Sequence, residues 1–299
     1  MSRSIEPETE RISERTADLD RLATADLVGL LIGEQRLAVQ AAIDATDVIA
    51  RAVDEIALRL RSGGRLHYAG AGTSGRLGFL DAAEMRPTFG TDRSLVCAHI
   101  AGGEAAVIEA IEGAEDDAAA ADAAFRDHLR AQDAVIGISA SGRAPYVVQA
   151  LEIARELGAY TVAIVNAADS TLARVAELSI ILRTGPEPLA GSTRLKAGTS
   201  QKIVLNAIST AVMTRLGRVY QNLMVDVVAT NKKLRARAMR LVMRLAPASE
   251  KEAGELLAAS QGSVKVAVVM ARLRLDEMPA REVLERHGGS LGAALNQGQ

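Results

Sequence analysis

Apolar residues recur at a helical spacing through the first part of the chain. From residue 24 to about residue 61, leucine, valine and isoleucine return every three or four positions, which is the period of an amphipathic helix. The pair Gly63-Gly64 then ends the pattern. The spacing predicts one long helix or two joined helices, preceded by a polar arm at 1–23.

A different pattern begins after Gly64, where short apolar runs alternate with helical stretches. Short apolar strands separated by helices are typical of a parallel sheet that is covered on both faces and has right-handed crossovers. The sequence therefore predicts an α/β fold, a three-layer α/β/α sandwich around a five-stranded parallel sheet. The predicted strands are 65–69, 95–100, 134–138, 161–165 and 178–182.

The last part of the chain, from about Ala197, is helical in pattern. We predict three domains: an N-terminal helical arm at 1–62 that packs on the core, the α/β domain at 63–245, and a small C-terminal helical subdomain at 246–299. Turn signals divide that subdomain into about three short helices. These signals are Pro247, Gly262, Pro279 and the pair Gly288-Gly289.

Composition narrows the range of partners. Hydrophobic residues make up 48% of the chain but aromatic residues only 2%, with no Trp. The core must therefore consist of Ala, Val, Leu and Ile, and few rings remain on which nucleic-acid bases could stack. The net charge is −2, so no basic excess favours nucleic acid or an anionic membrane as a partner.

Other sequence features favour the cytoplasm. The single cysteine, Cys97, cannot form a disulfide within the chain, which is typical of a reducing compartment. No uncharged apolar run of about 18 or more residues predicts a membrane-spanning helix. The N-terminus is polar and lacks the apolar segment of a secretory signal. We expect a cytoplasmic protein that does not enter a membrane.

Two segments rich in glycine and hydroxyl groups follow predicted strands. They are Gly72-Thr73-Ser74-Gly75 after the first strand and Ser139-Ala140-Ser141-Gly142 after the third. Ligands of open parallel sheets bind at the carboxyl ends of the strands, and backbone N–H groups at a helix N-terminus bind anions. We therefore expect a phosphate site. The alternative is that both segments are tight turns that only cap helices.

The first segment also matches the glycine pattern of dinucleotide-binding folds, with Gly70, Gly72 and Gly75 in place. That pattern alone is a weak signal, and the acidic residue expected after the second strand is absent. Ala101-Gly102-Gly103 stands there instead. The hydroxyl groups favour a terminal phosphate. The expected ligands are Thr73, Ser74, Ser139, Ser141 and Gly142.

At these residues the sequence resembles a known family. Ser139–Gly142, after a strand of a five-stranded parallel sheet, resembles the sugar isomerase (SIS) domain, whose serine-rich loops hold the phosphate of phosphosugars. The segment 185–202 resembles the signature shared by the N-acetylmuramic acid 6-phosphate etherases and glucokinase regulatory protein. Further motifs that resemble the etherases are 70–78, 81–90, 100–104, 112–116 and 222–231.

The resemblance extends from about residue 9 to residue 295, and it implies that 63–245 is a SIS-type sugar-phosphate-binding domain. Two positions depart from the etherase pattern. Residues 32–35 read Ile-Gly-Glu-Gln, where the etherases tend to carry an Asn and an acidic pair. Ala83 stands where Ser is common.

The resemblance also implies a reaction. It is cleavage of the D-lactyl ether at C3 of N-acetylmuramic acid 6-phosphate, by elimination and then hydration, in the recycling of cell-wall amino sugars. The products would be N-acetylglucosamine 6-phosphate and D-lactate. A base at C2 and an acid at the ether oxygen suffice for this chemistry. We expect no cofactor and no metal, and the four histidines show no metal-ligand spacing.

The same resemblance assigns roles to two glutamates. Glu84 corresponds to the acid that protonates the leaving oxygen, and Glu115 to the base at C2. The two could exchange roles between elimination and hydration. An acid of this kind needs a buried carboxyl group or a neighbouring carboxylate. Spacing alone does not separate Glu115 from its neighbours Glu112 and Asp116.

Several expectations remain open at the level of sequence. Ser192, Arg194 and Lys196 either contact the substrate or hold a subunit interface. A homodimer is expected, with the apolar helices at 24–61 and 198–216 as candidate contact surfaces. Two alternative functions share the fold: a phosphosugar isomerase, and a non-catalytic sugar-phosphate sensor such as glucokinase regulatory protein. Release of lactate would separate the etherase from both.

Overall fold

The computed structural model describes residues 8–229 and 231–296. The chain divides into two compact units. The first comprises the described residues up to Ala82 together with Ser94–Ser209. The second comprises Ala83–Arg93 together with the described residues from Thr210 onward.

The first unit is built on a five-stranded sheet in the order β2-β1-β3-β4-β5, in which every neighbouring pair is parallel. Every residue of β1 and β3 is buried, so the apolar runs in the sequence mark strands covered on both faces. The predicted α/β fold and its five strands are confirmed. The strands are β1 (Leu66–Gly70), β2 (Val96–Ile100), β3 (Ala134–Ser139), β4 (Tyr160–Val165) and β5 (Leu178–Ile181).

Helices connect these strands. The apolar repeat at 24–61 forms two helices joined at Ala45, as one of the two interpretations of the sequence expected. α3 and α8 continue from the first unit into the second. The helices that begin in the first unit are α1 (Thr24–Asp44), α2 (Thr46–Arg61), α3 (Gly72–Phe89), α4 (Ala105–Ile108), α5 (Ala118–Phe125), α6 (Pro145–Glu156), α7 (Thr171–Val175) and α8 (Lys196–Arg215).

Small residues let one layer of helices pack closely on the sheet. A Cβ atom added at Gly137 of β3 would lie 3.1 Å from side-chain atoms of Leu151 and Val147 on α6. α6 therefore lies directly over the centre of the sheet, and Phe125 of α5 is fully buried beside it. This core is built mainly from alanine and aliphatic side chains, as the composition predicts.

The second unit is helical. Its last part contains four helices among the described residues rather than about three. The predicted break at Pro279 is displaced, because Pro279 lies in the first turn of a helix, where its missing N–H breaks no hydrogen bond. The actual break is at Arg274, which adopts a left-handed conformation with φ +55°. The helices are α9 (Lys232–Leu245), α10 (Glu250–Ala259), α11 (Val264–Leu273), α12 (Glu277–Arg286) and α13 (Leu291–Leu295).

A buried lysine links separate segments of this helical unit by hydrogen bonds. Lys265 on α11 is 5% exposed, and its Nζ donates to the carbonyl oxygens of Gly217 and Gly289 at 2.8 and 2.7 Å. It also pairs with the carboxylate of Asp226.

Among the described residues no single helix is long and apolar enough to span a membrane; only α10 and α11 taken together, bent by 113°, meet that length and composition.

Candidate functional site

The turn between β1 and α3 differs from the predicted loop. α3 begins at Gly72, so Gly72, Thr73, Ser74 and Gly75 form its first turn rather than a loop. The reason is close packing, because a Cβ at Gly70 would lie only 2.6 Å from the Cα of Gly75. The first N–H groups of a helix have no partner within it, so this turn still presents donors for an anion at the end of β1.

Ser74 takes part in a buried network of neutral polar groups. Its hydroxyl donates to Oε1 of Gln201 at 2.8 Å, and Nε2 of Gln201 donates to Oδ1 of Asn166 at 3.0 Å. Asn166 in turn donates to Ser200 Oγ at 3.0 Å and to Thr184 Oγ1 at 3.2 Å. The sequence analysis did not identify this network. Its available signals were that Asn166 directly follows β4 and that Gln201 lies in the 185–202 segment.

The loop after β3 is held by its own serines. Ser139 Oγ accepts from the Gly142 N–H at 3.0 Å, and Ser141 Oγ accepts from the Arg143 N–H at 3.3 Å. Because each hydroxyl oxygen accepts in these bonds, its proton can be donated to a ligand oxygen. Gly142 has φ +61°, and a Cβ there would clash with the side chain of Ser170. A glycine is therefore required at this position, where the loop backbone packs closely against Ser170.

A small cavity of about 150 Å³ lies beside the first turn of α3. Glu115, in the short 3-10 turn Ala114–Asp116, lines it together with Gly72, so the structure brings one predicted glutamate to one predicted phosphate segment. Both Glu115 and its neighbour Glu112 line this cavity and are exposed. Its other lining residues are Arg76, Ala101, Ala106, Ala110, Ile111, Gly113 and Ala114.

Glu84 is placed differently. It lies on α3 in the stretch that belongs to the second unit, and it is exposed, whereas the next residue, Met85, is buried. The described chain therefore does not supply the burial that an acid in its role needs. The buried carboxylate on this helix is Asp81, three residues earlier.

Asp81 accepts hydrogen bonds from three side chains of the first unit. They are Tyr68 Oη at 2.8 Å, Asn206 Nδ2 at 2.7 Å and Ser209 Oγ at 3.0 Å. Burial raises the pKa of Asp81, and these hydrogen bonds oppose the rise. Asp81 thus fixes α3 against β1 and α8. Its place in the 81–90 motif was the signal available in the sequence.

The 185–202 segment forms the entry to α8. Glu187 is buried and accepts from the N–H groups of Lys196 and Ala197, both at 2.9 Å, so it caps the helix. Burial raises the pKa of Glu187, and these two bonds oppose the rise. Ser192 is half-buried and Arg194 is exposed in the turn before the helix.

Lys196 is fully buried and forms an ion pair. Its Nζ lies 2.7 Å from Oε2 of Glu34 on α1. Thr199 on the same helix donates to Oε1 of Gln35 at 2.8 Å. Two residues of the 32–35 segment, where this chain departs from the etherase pattern, therefore contact the 185–202 region. The structure places Lys196 in an internal pair rather than in the small cavity.

Two further motifs meet within the second unit. Gly90, at the end of the 81–90 motif, has φ +62°, and a Cβ there would lie 2.5 Å from the carbonyl oxygen of Asp226. Asp226 belongs to the 222–231 motif. Close contact of this kind explains the glycine in the first motif. Thr230, in the second, lies outside the described residues.

Comparison with known proteins gives a consistent result. Residues 48–155 match the glucokinase regulatory protein N-terminal SIS domain, and residues 112–211 match the SIS domain. An N-acetylmuramic acid 6-phosphate etherase from Enterobacter sp. (strain 638) is 49% identical over 288 residues, which cover 96% of this chain and 97% of that protein. The etherase of Salmonella agona (strain SL483) is 50% identical over 289 residues, with the same shares covered.

Solved structures of the same fold are more distant in sequence. Phosphoheptose isomerase GmhA from Neisseria gonorrhoeae has a TM-score of 0.50 and 18% identity, covering 64% of this chain and 100% of that one. A candidate phosphosugar isomerase for capsule formation from Bacteroides fragilis has a TM-score of 0.52 and 19% identity, covering 67% and 95%. These likenesses show the fold alone. The relatives at about half identity over nearly the whole length show the family, and the chain belongs to the N-acetylmuramic acid 6-phosphate etherases.

Proposed function

We propose that this protein cleaves the D-lactyl ether of N-acetylmuramic acid 6-phosphate, giving N-acetylglucosamine 6-phosphate and D-lactate. The observation that carries the proposal is the match to curated etherases at about 49% identity over 96% of the chain. The cavity beside Gly72 supports it, because it places carboxylates that can transfer protons close to the first turn of α3, whose N–H groups suit a phosphate. The proposed place in metabolism is the recycling of cell-wall amino sugars.

The proposed mechanism uses proton transfers by two carboxyl groups. In the open-chain sugar, the C2 proton is α to the C1 aldehyde, and the ether oxygen at C3 is β to it. Glu115 removes the C2 proton, and Glu84 protonates the lactyl oxygen as the C3–O bond breaks. Water then adds at C3 of the unsaturated intermediate and a proton returns to C2. Each positioned proton transfer contributes about 10²–10⁴-fold to the rate.

The phosphate is assigned to the two glycine- and hydroxyl-rich segments at the carboxyl ends of β1 and β3. Ser139 and Ser141 accept from loop N–H groups and keep their own protons for the phosphate oxygens. Thr73 and the first-turn N–H groups of α3 supply further donors. Ser74 joins only if its hydroxyl turns away from Gln201, since it is committed to that side chain here.

A homodimer in the cytoplasm is the proposed state of the protein. The support is a row of exposed apolar side chains on α1: Val28, Ile32, Val39 and Ile43, which are 47, 67, 46 and 57% exposed. At 3.6 residues per turn they lie within about 60° of one another on the helix. A second subunit could also supply the burial of Glu84 that the described chain does not provide. Ile32→Glu should convert a dimer to a monomer in sedimentation experiments, and an unchanged mass would count against this surface.

The activity is tested with purified protein and N-acetylmuramic acid 6-phosphate in water enriched in heavy oxygen. Elimination followed by hydration predicts unlabelled D-lactate and a sugar that carries the label at C3. The variant Glu84→Gln should release little lactate. Absence of lactate from the wild-type protein, with tight binding of the sugar phosphate, would contradict the proposal and favour a sensor or an isomerase of another sugar.

A further inference from the structure

The cavity beside α3 combines three kinds of surface. Its wall is formed by small apolar side chains, among them Ala101, Ala106 and Ile111. Glu112 and Glu115 are also among its lining residues. Arg76 supplies the positive charge among its lining residues. With a volume of about 150 Å³ it is smaller than the about 300–1,000 Å³ of sites that hold whole ligands. It therefore suits one substituent of a sugar rather than the sugar itself.

Hydrogen bonds to the backbone hold the guanidinium of Arg76 in place, and it still has N–H donors that can bind a ligand. Its Nε donates to the carbonyl oxygen of Val107 at 3.1 Å, and its Nη2 donates to that of Glu109 at 3.0 Å. It forms no ion pair with a carboxylate within 4.0 Å among residues 8–229 and 231–296, although Glu112 and Glu115 line the same cavity. Guanidinium presents five donors in a planar fork that matches a carboxylate. The remaining donors, on Nη1 and Nη2, can bind an anionic group in the cavity.

The order of the strands separates this cavity from the loop after β3. β1 lies between β2 and β3, and the cavity is lined by residues that follow β1 and β2. Two strand spacings amount to about 10 Å. A sugar whose 6-phosphate binds at Ser139–Gly142 would extend its C3 side across β1 toward β2. The group on C3 would then be near the cavity, and Glu115 would be near C2.

We propose that Arg76 binds the carboxylate of the lactyl group and that the alanine-rich wall receives its methyl group. The inference rests on the proposed function, because only an ether of lactate on C3 brings these two groups together. Arg76 is thereby a specificity-determining residue. It favours sugar phosphates that carry an acidic substituent at C3 over those with a free hydroxyl group there, and it orients the leaving group for protonation.

The test compares the substrate with its lactyl amide, which keeps the size of the group but removes its charge. Binding is measured by calorimetry in the Glu84→Gln background, so that turnover does not interfere. The protein with Arg76 should bind the acid about 10- to 100-fold more tightly than the amide, as expected for a hydrogen bond to a charged group. Arg76→Gln should lose this preference, Arg76→Lys should keep part of it, and the product N-acetylglucosamine 6-phosphate should bind within about threefold of the parent in both.

The matched control is Arg155→Gln. Arg155 also donates to a backbone carbonyl, that of Val175 at 2.9 Å, but lies outside the cavity. It should leave the preference unchanged. A preference that survives Arg76→Gln would overturn the proposal. So would an equal loss of acid, amide and product binding, which would make Arg76 a clamp on 107–109 or a phosphate ligand. Because the readout is binding, it also separates this inference from the activity, which fails only if the wild-type protein releases no lactate.

Discussion

Two clusters of buried polar groups lie at opposite ends of the same parallel sheet, and they differ in chemistry. At the amino end, Asp133 is fully buried before β3 and its carboxylate lies 2.8 Å from the guanidinium of Arg65, which precedes β1. His67 Nε2 lies 3.5 Å from the same carboxylate. At the carboxyl end, Ser74 and Gln201 belong to a network of neutral hydroxyl and amide groups.

The difference indicates that the amino end of the sheet contributes mainly to stability, whereas the carboxyl end is suited to ligand binding. A buried charge is costly unless its partners are fixed, so the amino-end cluster favours one arrangement of the chain. Burial raises the pKa of Asp133, but the nearby His67 and the hydrogen bonds from Arg65 and the Arg130 N–H outweigh it and hold the pKa well below its usual value. Neutral groups can exchange one partner for another at small cost, which suits the end where a ligand binds.

The largest predicted effect is a loss of catalytic rate, and it tests whether the carboxyl end of the sheet carries the reaction. Glu115→Gln should lower lactate release by about 10²–10⁴-fold, because it removes a proton-transfer group while keeping its shape. Since Glu115 is exposed, the melting temperature should stay the same. The matched control is Asp116→Asn, which changes the next residue outside the cavity and should leave the rate near that of the wild-type protein. Equal rates for the two variants would remove Glu115 from the mechanism.

The second largest predicted effect is on stability, and it concerns the buried cluster of Asp133 and Arg65 at the amino end of the sheet. Asp133→Ala should lower the free energy of unfolding by about 3–5 kcal/mol, because it leaves Arg65 with its charge uncompensated in a largely buried position. Urea unfolding measures the loss, and the KM of the folded fraction should not change. Asp122→Ala is the control, because it breaks an exposed pair with Arg126 that is worth less than about 1 kcal/mol. A loss no larger than that of the control would show that the buried cluster does not hold the fold.

Acid should weaken the Asp133 cluster and the neighbouring His99 in two separate ranges of pH. Burial, with the nearby His67, lowers the pKa of His99 to about 4 from 6.5, so protonation favours the unfolded chain. Stability should therefore fall by about 3 kcal/mol as the pH decreases from 6.5 to 4, and this contribution should become constant well below 4. Asp133, whose pKa is depressed, loses its contribution only below pH 3.8.

The variant His99→Asn should lose the slope between pH 6.5 and 4 and keep the fall at lower pH. Urea unfolding across this range gives both parts of the curve. His99 Nε2 lies 3.0 Å from His67 Nδ1, so a small loss of stability at neutral pH is expected as well. An unchanged slope would assign the acid sensitivity to another group.

The sheet could be predicted from the sequence, whereas much of the charged and polar pairing could not. β3 is an uninterrupted apolar run and is buried throughout, so its pattern has one interpretation. Lys196 is also fully buried, but a lysine in a sequence normally indicates the surface. Its partner Glu34 is 162 residues away, and only the fold brings the two together.

The backbone segments that form the candidate site could be predicted from the sequence, but the side chains that act in it were harder to identify. Gly142 stands where a left-handed φ and a close neighbour both require glycine, and such positions are visible in a sequence. Exposed glutamates are not distinguishable in this way: Glu112 and Glu115 line the same cavity, and the choice between them came from the family resemblance. The role of Asn166 could not be predicted from the sequence, because it depends on a hydrogen bond from Gln201, which is on a distant helix.

The smallest effect concerns Ser74, and it decides whether the carboxyl-end network is fixed or can exchange partners. Ser74→Ala leaves Oε1 of Gln201 without its donor in a buried place, which should cost about 1–3 kcal/mol of stability. Ser74→Ala with Gln201→Leu removes both polar partners and should regain part of that loss. The double-mutant cycle in urea measures the interaction between the two side chains.

Binding of N-acetylglucosamine 6-phosphate to the same variants separates the two possibilities. If the Ser74 hydroxyl turns to the phosphate, both variants should bind the sugar phosphate several-fold more weakly, even where the double variant has regained stability. If the hydroxyl stays with Gln201, affinity should follow stability and recover in the double variant. The second result would make the network at the carboxyl end as fixed as the charged cluster at the amino end, and phosphate binding would then depend on Thr73, Ser139, Ser141 and the backbone N–H groups.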